Sequence, residues 1–219
     1  MRFNVYVDGF NLYYGALRGQ PYRWLNLRAF AQRLVRPTDE VHRIRYFTAL
    51  VRPFPNDPEA PERQATYLRA LGTVPGLHLH EGQFLVSERT MLRADGGGPV
   101  RVIRSEEKGS DVNLATHLLL DAFDDDYEAA LVISNDSDLA EPIRLVQERF
   151  RRPIGVVFPV LSRNQSGERR PPSNALQRVA AFRRFITPSR RRRRLLAECQ
   201  FPETLTDVRG TFSRPPAWA

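Results

Sequence analysis

Aspartates follow two apolar, strand-like segments of this 219-residue chain. Asp8 comes directly after the run Phe3–Val7, and Asp136 and Asp138 follow the run Leu131–Ser134. A buried strand that ends in a carboxylate places it at the carboxyl edge of a parallel sheet, where open α/β folds hold their ligands. The pattern therefore predicts an acidic site at that edge.

A fourth aspartate, Asp111, begins an amphipathic helical segment in the sequence Lys108-Gly109-Ser110-Asp111. Carboxylates that converge at one edge repel one another, and a hard divalent cation relieves the repulsion. We therefore predict a site for Mg²⁺ or Mn²⁺ and, with it, phosphate chemistry. The predicted ligands are Asp8, Asp111, Asp136 and Asp138, and Asn11 offers an amide beside Asp8.

Each aspartate also has a purely structural interpretation. Asp8 could cap the helix that follows its strand, and Ser137 or Asp138 could cap the helix Leu139–Phe150. If Ser110 is a cap, Asp111 lies in the first helical turn, where the helix dipole favours an acid by ~0.3–1 kcal/mol. Glu107 and Asn113 are weaker candidates, for which the sequence favours a structural role.

Composition favours a polyanionic partner for this protein. The net charge is +8 and the pI about 10.3, and Lys108 is the only lysine. A lysine is a compact point charge, which suits a crowded phosphate site, although one lysine could also persist by chance. The candidate phosphate-binding residues are Lys108, Arg190, Arg191, Arg192, Arg193 and Arg194. A run of like charges is also typical of a solvated segment.

Other classes of site find little support in the sequence. Cys199 is the only cysteine, so neither a disulfide framework nor a thiolate zinc site is expected. The four histidines show no ligand spacing, although His78 and His80 share one face of a predicted strand. Because no apolar run approaches ~20 residues and no secretory signal is evident, we expect a cytoplasmic protein without a membrane partner.

Strand-like and helix-like segments alternate along the first 160 residues, which predicts a parallel sheet covered by helices. The predicted strands are Phe3–Val7, Ile44–Leu50, Leu77–Phe84, Leu131–Ser134 and Ile154–Phe158. The predicted helices are Leu27–Leu34, Pro61–Leu71, Asp111–Phe123 and Leu139–Phe150. The runs Thr90–Arg93 and Val100–Arg104 flank a glycine-rich turn and predict a hairpin.

The chain changes character after residue 160. We expect residues 1–160 to form one domain and residues 161–219 to form a C-terminal extension. In the extension, Leu161–Pro172 is predicted to be a loop, Ser173–Ala181 a short helix capped by Ser173, and Arg183–Thr187 an edge strand. The proline-rich segment Phe201–Ala219 is predicted to be a poorly ordered tail.

Three segments together resemble the signature segments of the NYN domain family, which belongs to the PIN-like nuclease superfamily. They are Val7-Asp8-Gly9-Phe10-Asn11-Leu12-Tyr13, Lys108-Gly109-Ser110-Asp111-Val112 and Ser134-Asn135-Asp136-Ser137-Asp138. The likeness covers about residues 1–160 and is nearest to the bacterial stand-alone branch. Asn135 stands where family members often have glycine, and Glu62 is a loose match to a further acid of many PIN-like nucleases.

The resemblance implies a PIN-like three-layer α/β/α sandwich and metal-dependent hydrolysis of RNA. The residues that it carries over are Asp8, Asn11, Asp111, Asp136 and Asp138. It also implies products with a 5′-phosphate. Which RNA is cleaved, whether DNA is also a substrate, and whether cleavage is internal or terminal all stay open, as does the oligomeric state.

Three other interpretations compete with this one. Haloacid-dehalogenase-like phosphatases need a second acid two residues after the first, where this chain has Phe10. Toprim-like domains want a glutamate where this chain has Asp8. A catalytically silent RNA-binding module with a PIN-like fold is the remaining alternative, and the intact acids disfavour it because an idle acidic cluster costs stability.

Overall fold

The computed structural model describes residues 1–53, 55, 57–163 and 167–218. Its central sheet contains β1 Arg2–Asp8, β2 Glu40–Ala49, β3 Leu77–Met91, β4 Val100–Lys108, β5 Ala129–Ile133, β6 Ile154–Pro159 and β7 Phe182–Ile186. The strands lie in the order β4-β3-β2-β1-β5-β6-β7, and neighbours are parallel except β3 and β4. The mixed α/β class with a mainly parallel sheet is thus confirmed.

Helices connect most of these strands. They are α1 Gly9–Leu12, α2 Leu27–Gln32, α3 Ala60–Gly72, α4 Ser110–Phe123, α5 Ala140–Phe150, α6 Asn174–Val179 and α7 Arg190–Glu198. A π-helical segment, Tyr13–Leu17, continues α1 without a break. The predicted cap of α6 is present, because the Ser173 side chain accepts a hydrogen bond from the amide of Leu176.

Alternate residues of the central strands enter two separate cores. Val5 and Val7 of β1 pack in one core with apolar residues of α2, α3 and α7. Tyr6 packs in the other, with Leu114 and Leu118 of α4 and Ile143 of α5. This alternation follows from the two-residue period of a strand buried on both faces.

The sheet starts at its centre and grows in two directions. From β1 the chain first builds β2, β3 and β4 on one side, and then β5, β6 and β7 on the other. The segment after β1 enters the first core through Leu12, whereas the segment after β5 enters the second core through Leu139. The carboxyl ends of β1 and β5 therefore flank a topological switch point, the usual place of a ligand crevice in such sheets.

The predicted hairpin is present but longer than expected. Leu77–Phe84 and the run at Thr90 belong to one strand, β3, which pairs antiparallel with β4 from Gln83↔Lys108 to Met91↔Val100. Several apolar side chains on this arm are exposed, among them Leu92 and Ile103. The arm brings the chain back to the sheet edge at Lys108, directly before α4.

The segment after Phe201 is not the poorly ordered tail that the sequence predicts. It forms a hairpin of β8 Thr204–Asp207 and β9 Gly210–Ser213, followed by a 3₁₀ turn at Pro216–Trp218. Phe201 and Trp218 are each only 6% exposed, and their rings lie 5.6 and 6.4 Å from that of Trp24. Burial of these aromatic rings outweighs the turn-rich local sequence.

The remaining C-terminal elements follow the predictions in part. β7 is the predicted edge strand, and it extends the central sheet beyond residue 160. The five consecutive arginines form the start of α7, capped by Ser189, and Arg192 is the one that is partly buried. Residues 164–166 of the predicted loop and residue 219 lie outside the described residues, and the division at residue 160 stays a prediction. Within the described ranges, no helix is both long and apolar enough to span a bilayer.

Candidate active site

Asp8, the last residue of β1, is fixed by three hydrogen bonds. Its Oδ1 accepts from the backbone amide of Asn11 at 2.9 Å. Its Oδ2 accepts from Asn11 Nδ2 at 2.6 Å and from Ser134 Oγ at 2.9 Å. The side chain thus caps α1, in agreement with the structural interpretation, while its second oxygen links the ends of β1 and β5.

Gly9 permits this arrangement because β2 approaches it closely. A Cβ atom at this position would lie 2.7 Å from the Tyr46 hydroxyl and 2.8 Å from the backbone oxygen of Phe47. Any larger residue would push α1 away from β2 and carry Asn11 with it. Glycine at this position therefore holds the Asp8–Asn11 pair against the sheet.

The segment after β5 adds the next two acids. Ser134 Oγ, which donates to Asp8, also accepts from the amide of Asp136 at 3.1 Å. Asp136 Oδ1 accepts from the amide of Asp138 at 3.0 Å and so caps the short 3₁₀ turn that leads into α5. The Asn135 amide donates to Asn11 Oδ1 at 3.4 Å, a second link between the two loops.

Asp111 reaches the same edge from α4. The N-cap of this helix is Gly109, in the left-handed conformation with φ of 99°, and not Ser110 as the sequence suggested. Leu114 and Leu118 pack against Tyr6 and anchor the helix on the sheet. Its first turn is thereby held beside the ends of β1 and β5.

The electrostatics of Asp111 show that the acids act on one another. Burial raises the pKa of its carboxyl to about 6, and the charges of Asp8, Asp136, Glu107 and Asp138 all contribute in the same direction. Burial also raises the pKa of Asp8, against the hydrogen bonds from Asn11 and Ser134, and the charge of Asp136 adds to this effect. Hydrogen bonds thus link the segments that carry Asp8, Asn11, Asp136 and Asp138, and Asp111 lies within range of the charges of these acids.

Glu107 also belongs to this site, although the sequence favoured a structural role for it. Its Oε1 accepts from the amide of Ser110 at 3.0 Å, and its charge acts on Asp111. The period of two along β4 places Lys108 on the other face, where Nζ lies 3.3 Å from Glu106. Lys108 thus neutralises Glu106, and strand alternation is the signal that could have separated the two roles.

The carboxylates at this edge suit a hard divalent cation, although they do not form a preorganised coordination site. Carboxylate oxygens are the ligands that Mg²⁺ and Mn²⁺ prefer, and the four charges that act on Asp111 are negative. Within the described ranges, however, no three His, Cys, Asp or Glu side chains are already close enough together to hold an ion. Asp8, Asp111, Asp136 and Asp138 are the residues that would supply the ligands.

The ion pair that the arginine run makes within α7 does not involve these acids. Arg194 pairs with Glu198 at 2.6 Å within α7, and Arg33 of the neighbouring segment pairs with the same glutamate. Burial, together with the charges of Arg191 and Arg184, lowers the pKa of Arg192. No ion pair among the described residues joins the run to the acidic edge.

The histidines take part in a structural network and form no metal site within the described ranges. Asp121 accepts two hydrogen bonds of 2.7 Å from Arg45 and one of 2.6 Å from the Tyr6 hydroxyl. His80 contacts Arg45 at 3.2 Å and lies 4.2 Å from His117 between ring centroids. This network connects α4 to β1 and β2 through side-chain hydrogen bonds.

Comparison with known proteins supplies the family. The NYN domain profile matches residues 2–187. The chain is 29% identical, over its full length and 75% of the relative, to a Pseudomonas putida protein named 6-hydroxy-3-succinoylpyridine 3-monooxygenase HspA. It also resembles the crystal structure of a Vibrio parahaemolyticus protein of unknown function, with 20% identity, a TM-score of 0.48 and coverage of 84% of this chain and 92% of that one. The match over residues 2–187 includes every element around the acidic edge, and the chain belongs to the NYN domain family.

Proposed function

We propose that this protein is a Mg²⁺- or Mn²⁺-dependent ribonuclease that hydrolyses RNA phosphodiester bonds at the carboxyl edge of its sheet. The observation that carries the proposal is the convergence of Asp8, Asp111, Asp136 and Asp138 at the switch point of the sheet. A nuclease needs such a concentration of negative charge because metal ions must be held against a phosphate. Membership of the NYN family supports the same conclusion.

Within this proposal the residues divide the work. The four aspartates hold the ion, and Asn11 keeps Asp8 oriented through its two hydrogen bonds. The bound ion supplies Lewis-acid activation of a water and charge neutralisation at the phosphate. Burial and the neighbouring acids raise the pKa of Asp111 to about 6 without metal, and a cation held by the four carboxylates would relieve that repulsion.

The finer features of the fold and the partners belong to the same proposal. The two cores on either side of the sheet support a three-layer, PIN-like α/β/α arrangement. RNA is the expected partner, DNA is a further possible substrate, and the cytoplasm is the expected location. Lys108 and the arginines of α7 are proposed phosphate contacts outside the metal site. To contact a phosphate, Lys108 would have to break its ion pair with Glu106.

A cleavage assay tests the proposal. Purified protein with Mn²⁺ is expected to cut single-stranded RNA, and EDTA is expected to stop it. Asp8→Asn and Asp136→Asn are expected to abolish cleavage while the protein stays folded. A folded wild type that binds RNA without cutting it under any divalent metal would instead be the silent RNA-binding module.

A second candidate function comes from the Pseudomonas putida relative, which is named a 6-hydroxy-3-succinoylpyridine 3-monooxygenase. The observation in its favour is a cavity beside Gly9 that is lined by aromatic and arginine side chains. Monooxygenation consumes O₂ and two electrons, so the test is O₂ uptake with 6-hydroxy-3-succinoylpyridine and a reduced nicotinamide nucleotide. Substrate-dependent uptake would support this candidate, and RNA cleavage without uptake would dismiss it.

A further inference from the structure

A cavity of about 350 Å³ opens on the far side of Gly9 from the acidic edge. Its walls are the segment after β1, the end of β2, the start of α3 and the C-terminal turn. Ligand sites typically have volumes of ~300–1,000 Å³, so one small planar molecule fits. The lining residues include Tyr13, Arg18, Arg23, Tyr46 and Trp218.

Aromatic rings form much of the wall. Tyr13 and Tyr14 meet edge to face with centroids 5.2 Å apart, and Tyr67 meets Trp218 at 5.9 Å and Tyr46 at 6.4 Å. Such rings bind another flat ring, for example a nucleic-acid base, by stacking. The wall therefore suits a planar ligand.

Positive charge surrounds one end of the cavity. The Arg18 guanidinium lies 5.3 Å from the centre of the Tyr14 ring, and that of Arg23 lies 5.7 Å from the Trp218 ring. Burial raises the pKa of Tyr13, but the charges of Arg23, Arg18 and Arg63 all act to lower it. Arg63 is already paired with Asp57, which also lines the cavity, and with Glu59, so Arg18 and Arg23 are the cations that favour an anion here.

One buried donor at the cavity has no partner among the described residues. Arg23 Nη2 donates to the backbone oxygen of Ala217 at 2.6 Å, whereas its Nε is buried without a hydrogen bond. By contrast, the Tyr67 hydroxyl already donates to the backbone oxygen of Leu25. A buried donor without a partner is unfavourable, and a ligand acceptor would supply one.

The cavity is also connected to the acidic edge. Tyr46 lines it, and the charge of Asp8 adds to burial in raising the pKa of the Tyr46 phenol. Gly9 follows Asp8 directly and lines the cavity, and a Cβ atom at Gly9 would lie 2.7 Å from the Tyr46 ring. A strand of RNA whose phosphate lies at the acids could thus place an adjacent nucleotide in the cavity.

We propose that this cavity binds one nucleotide of the substrate strand, with the base among the aromatic rings and a phosphate against Arg18, Arg23 and the Tyr13 hydroxyl. The proposal rests on the ribonuclease function and adds to it a nucleotide subsite outside the acidic cluster. The ligand chemistry is a planar ring that carries an anionic group. A free aromatic acid shares this chemistry, so the test includes one.

Calorimetric titration in EDTA provides the test, because binding is then measured without metal or cleavage. The probes are 5′-AMP, 5′-UMP, uridine and nicotinate. Wild type is expected to bind both nucleotides and to bind uridine more weakly. Arg18→Ala and Tyr13→Phe are expected to weaken nucleotide binding, Arg18→Ala by about tenfold or more, because a hydrogen bond to a charged group is removed.

Two control variants make the outcome specific. Arg149→Ala removes the same charge from an exposed position on α5, a helix that packs in the other core. This variant is expected to bind the nucleotides as wild type does. Asp8→Asn is expected to keep nucleotide binding while RNA cleavage is abolished, so a failure of the ribonuclease function and a failure of this subsite give different results. Arg18 is exposed, and a thermal melt confirms that its variant folds.

Three results would overturn the proposal. The first is that wild type binds none of the nucleotides at millimolar concentration. The second is that Arg18→Ala and Tyr13→Phe both bind them unchanged. The third is that nicotinate binds and the nucleotides do not, which would assign the cavity to a free aromatic acid.

Discussion

Replacement of Asp111 by asparagine is expected to stabilise the metal-free protein. Burial and four neighbouring acids raise the pKa of this carboxyl from 3.8 to about 6, so the folded chain resists its ionisation. At about 1.4 kcal/mol per pKa unit, the ionised group costs at most ~3 kcal/mol at neutral pH. Because Asp111 is only half buried, solvent screening reduces this to ~1–2 kcal/mol.

The sign and the pH window of the effect follow from the same values. Between pH 3.8 and about 6 the folded state binds more protons than the unfolded state, so stability falls as the pH rises. Asparagine cannot ionise, and the variant lacks this fall. Removal of the carboxylate from the first turn of α4 costs ~0.3–1 kcal/mol of dipole interaction. The net gain of about 1 kcal/mol at pH 7.5 corresponds to a Tm increase of ~2–4 °C for a chain of this length.

Asp121→Asn on the same helix is the matched comparison. Although burial opposes it, hydrogen bonds from Arg45 and Tyr6 hold the pKa of Asp121 below its usual value. Asparagine at this position removes the charge that pairs with the largely buried Arg45 guanidinium, and the substitution is expected to cost ~3–5 kcal/mol of stability. Thermal melts of both variants in EDTA, from pH 4 to 8, decide the matter. If Asp111→Asn melts below wild type at pH 7.5, as Asp121→Asn should, Asp111 is not strained by its neighbours and the reasoning is wrong.

Three further predictions concern metal, acid and salt. Mn²⁺ at a hundredfold excess over its Kd is expected to stabilise wild type by ~2.7 kcal/mol and Asp136→Asn much less; equal Tm shifts would remove Asp136 from the site. Burial and the charges of His117 and Arg45 lower the pKa of His80 to about 4. Below pH 6.5 the unfolded chain therefore binds a proton at His80 that the folded chain does not, and the free energy of unfolding declines as the pH falls towards 4. In urea titrations, His80→Gln should show less of this decline, and an equal decline would contradict the assignment. Alanine at Arg190–Arg194 is expected to flatten the salt dependence of RNA binding by ~0.7 for each phosphate that is no longer neutralised, and an unchanged slope would exclude the run from binding.

The acidic edge could be predicted from the sequence because its signals are local. The apolar runs before Asp8 and Asp136 identify strands, and parallel strands bring their carboxyl ends to one edge. The amphipathic pattern of α4 likewise predicts that its first turn, with Asp111, is anchored on the sheet. The capping interpretation is correct for Asp8, which caps α1. It is wrong before α5, where Asp136, and neither Ser137 nor Asp138, caps the 3₁₀ turn that leads into the helix.

The features that the sequence did not reveal depend on distant contacts. Nothing near Trp218 in the sequence indicates that it packs against Trp24 and Tyr67, so local composition predicts a poorly ordered tail. Alternation along β4 separates Glu107 from Lys108 only because pairing with β3 extends the strand to Lys108, beyond its predicted end at Arg104. The cavity beside Gly9 exists only because four separate segments surround it.

The rate of RNA cleavage as a function of Mn²⁺ concentration tests the central claim most directly. Wild type is compared with Asp136→Asn and with Asp124→Asn, which changes an exposed aspartate at the opposite end of α4 from Asp111. We predict that the wild-type and Asp124→Asn rates rise and saturate with Mn²⁺ and fall to background in EDTA, while Asp136→Asn stays at background throughout. Cleavage that persists in EDTA, or an Asp136→Asn variant as active as wild type, would contradict a metal-dependent site at this edge.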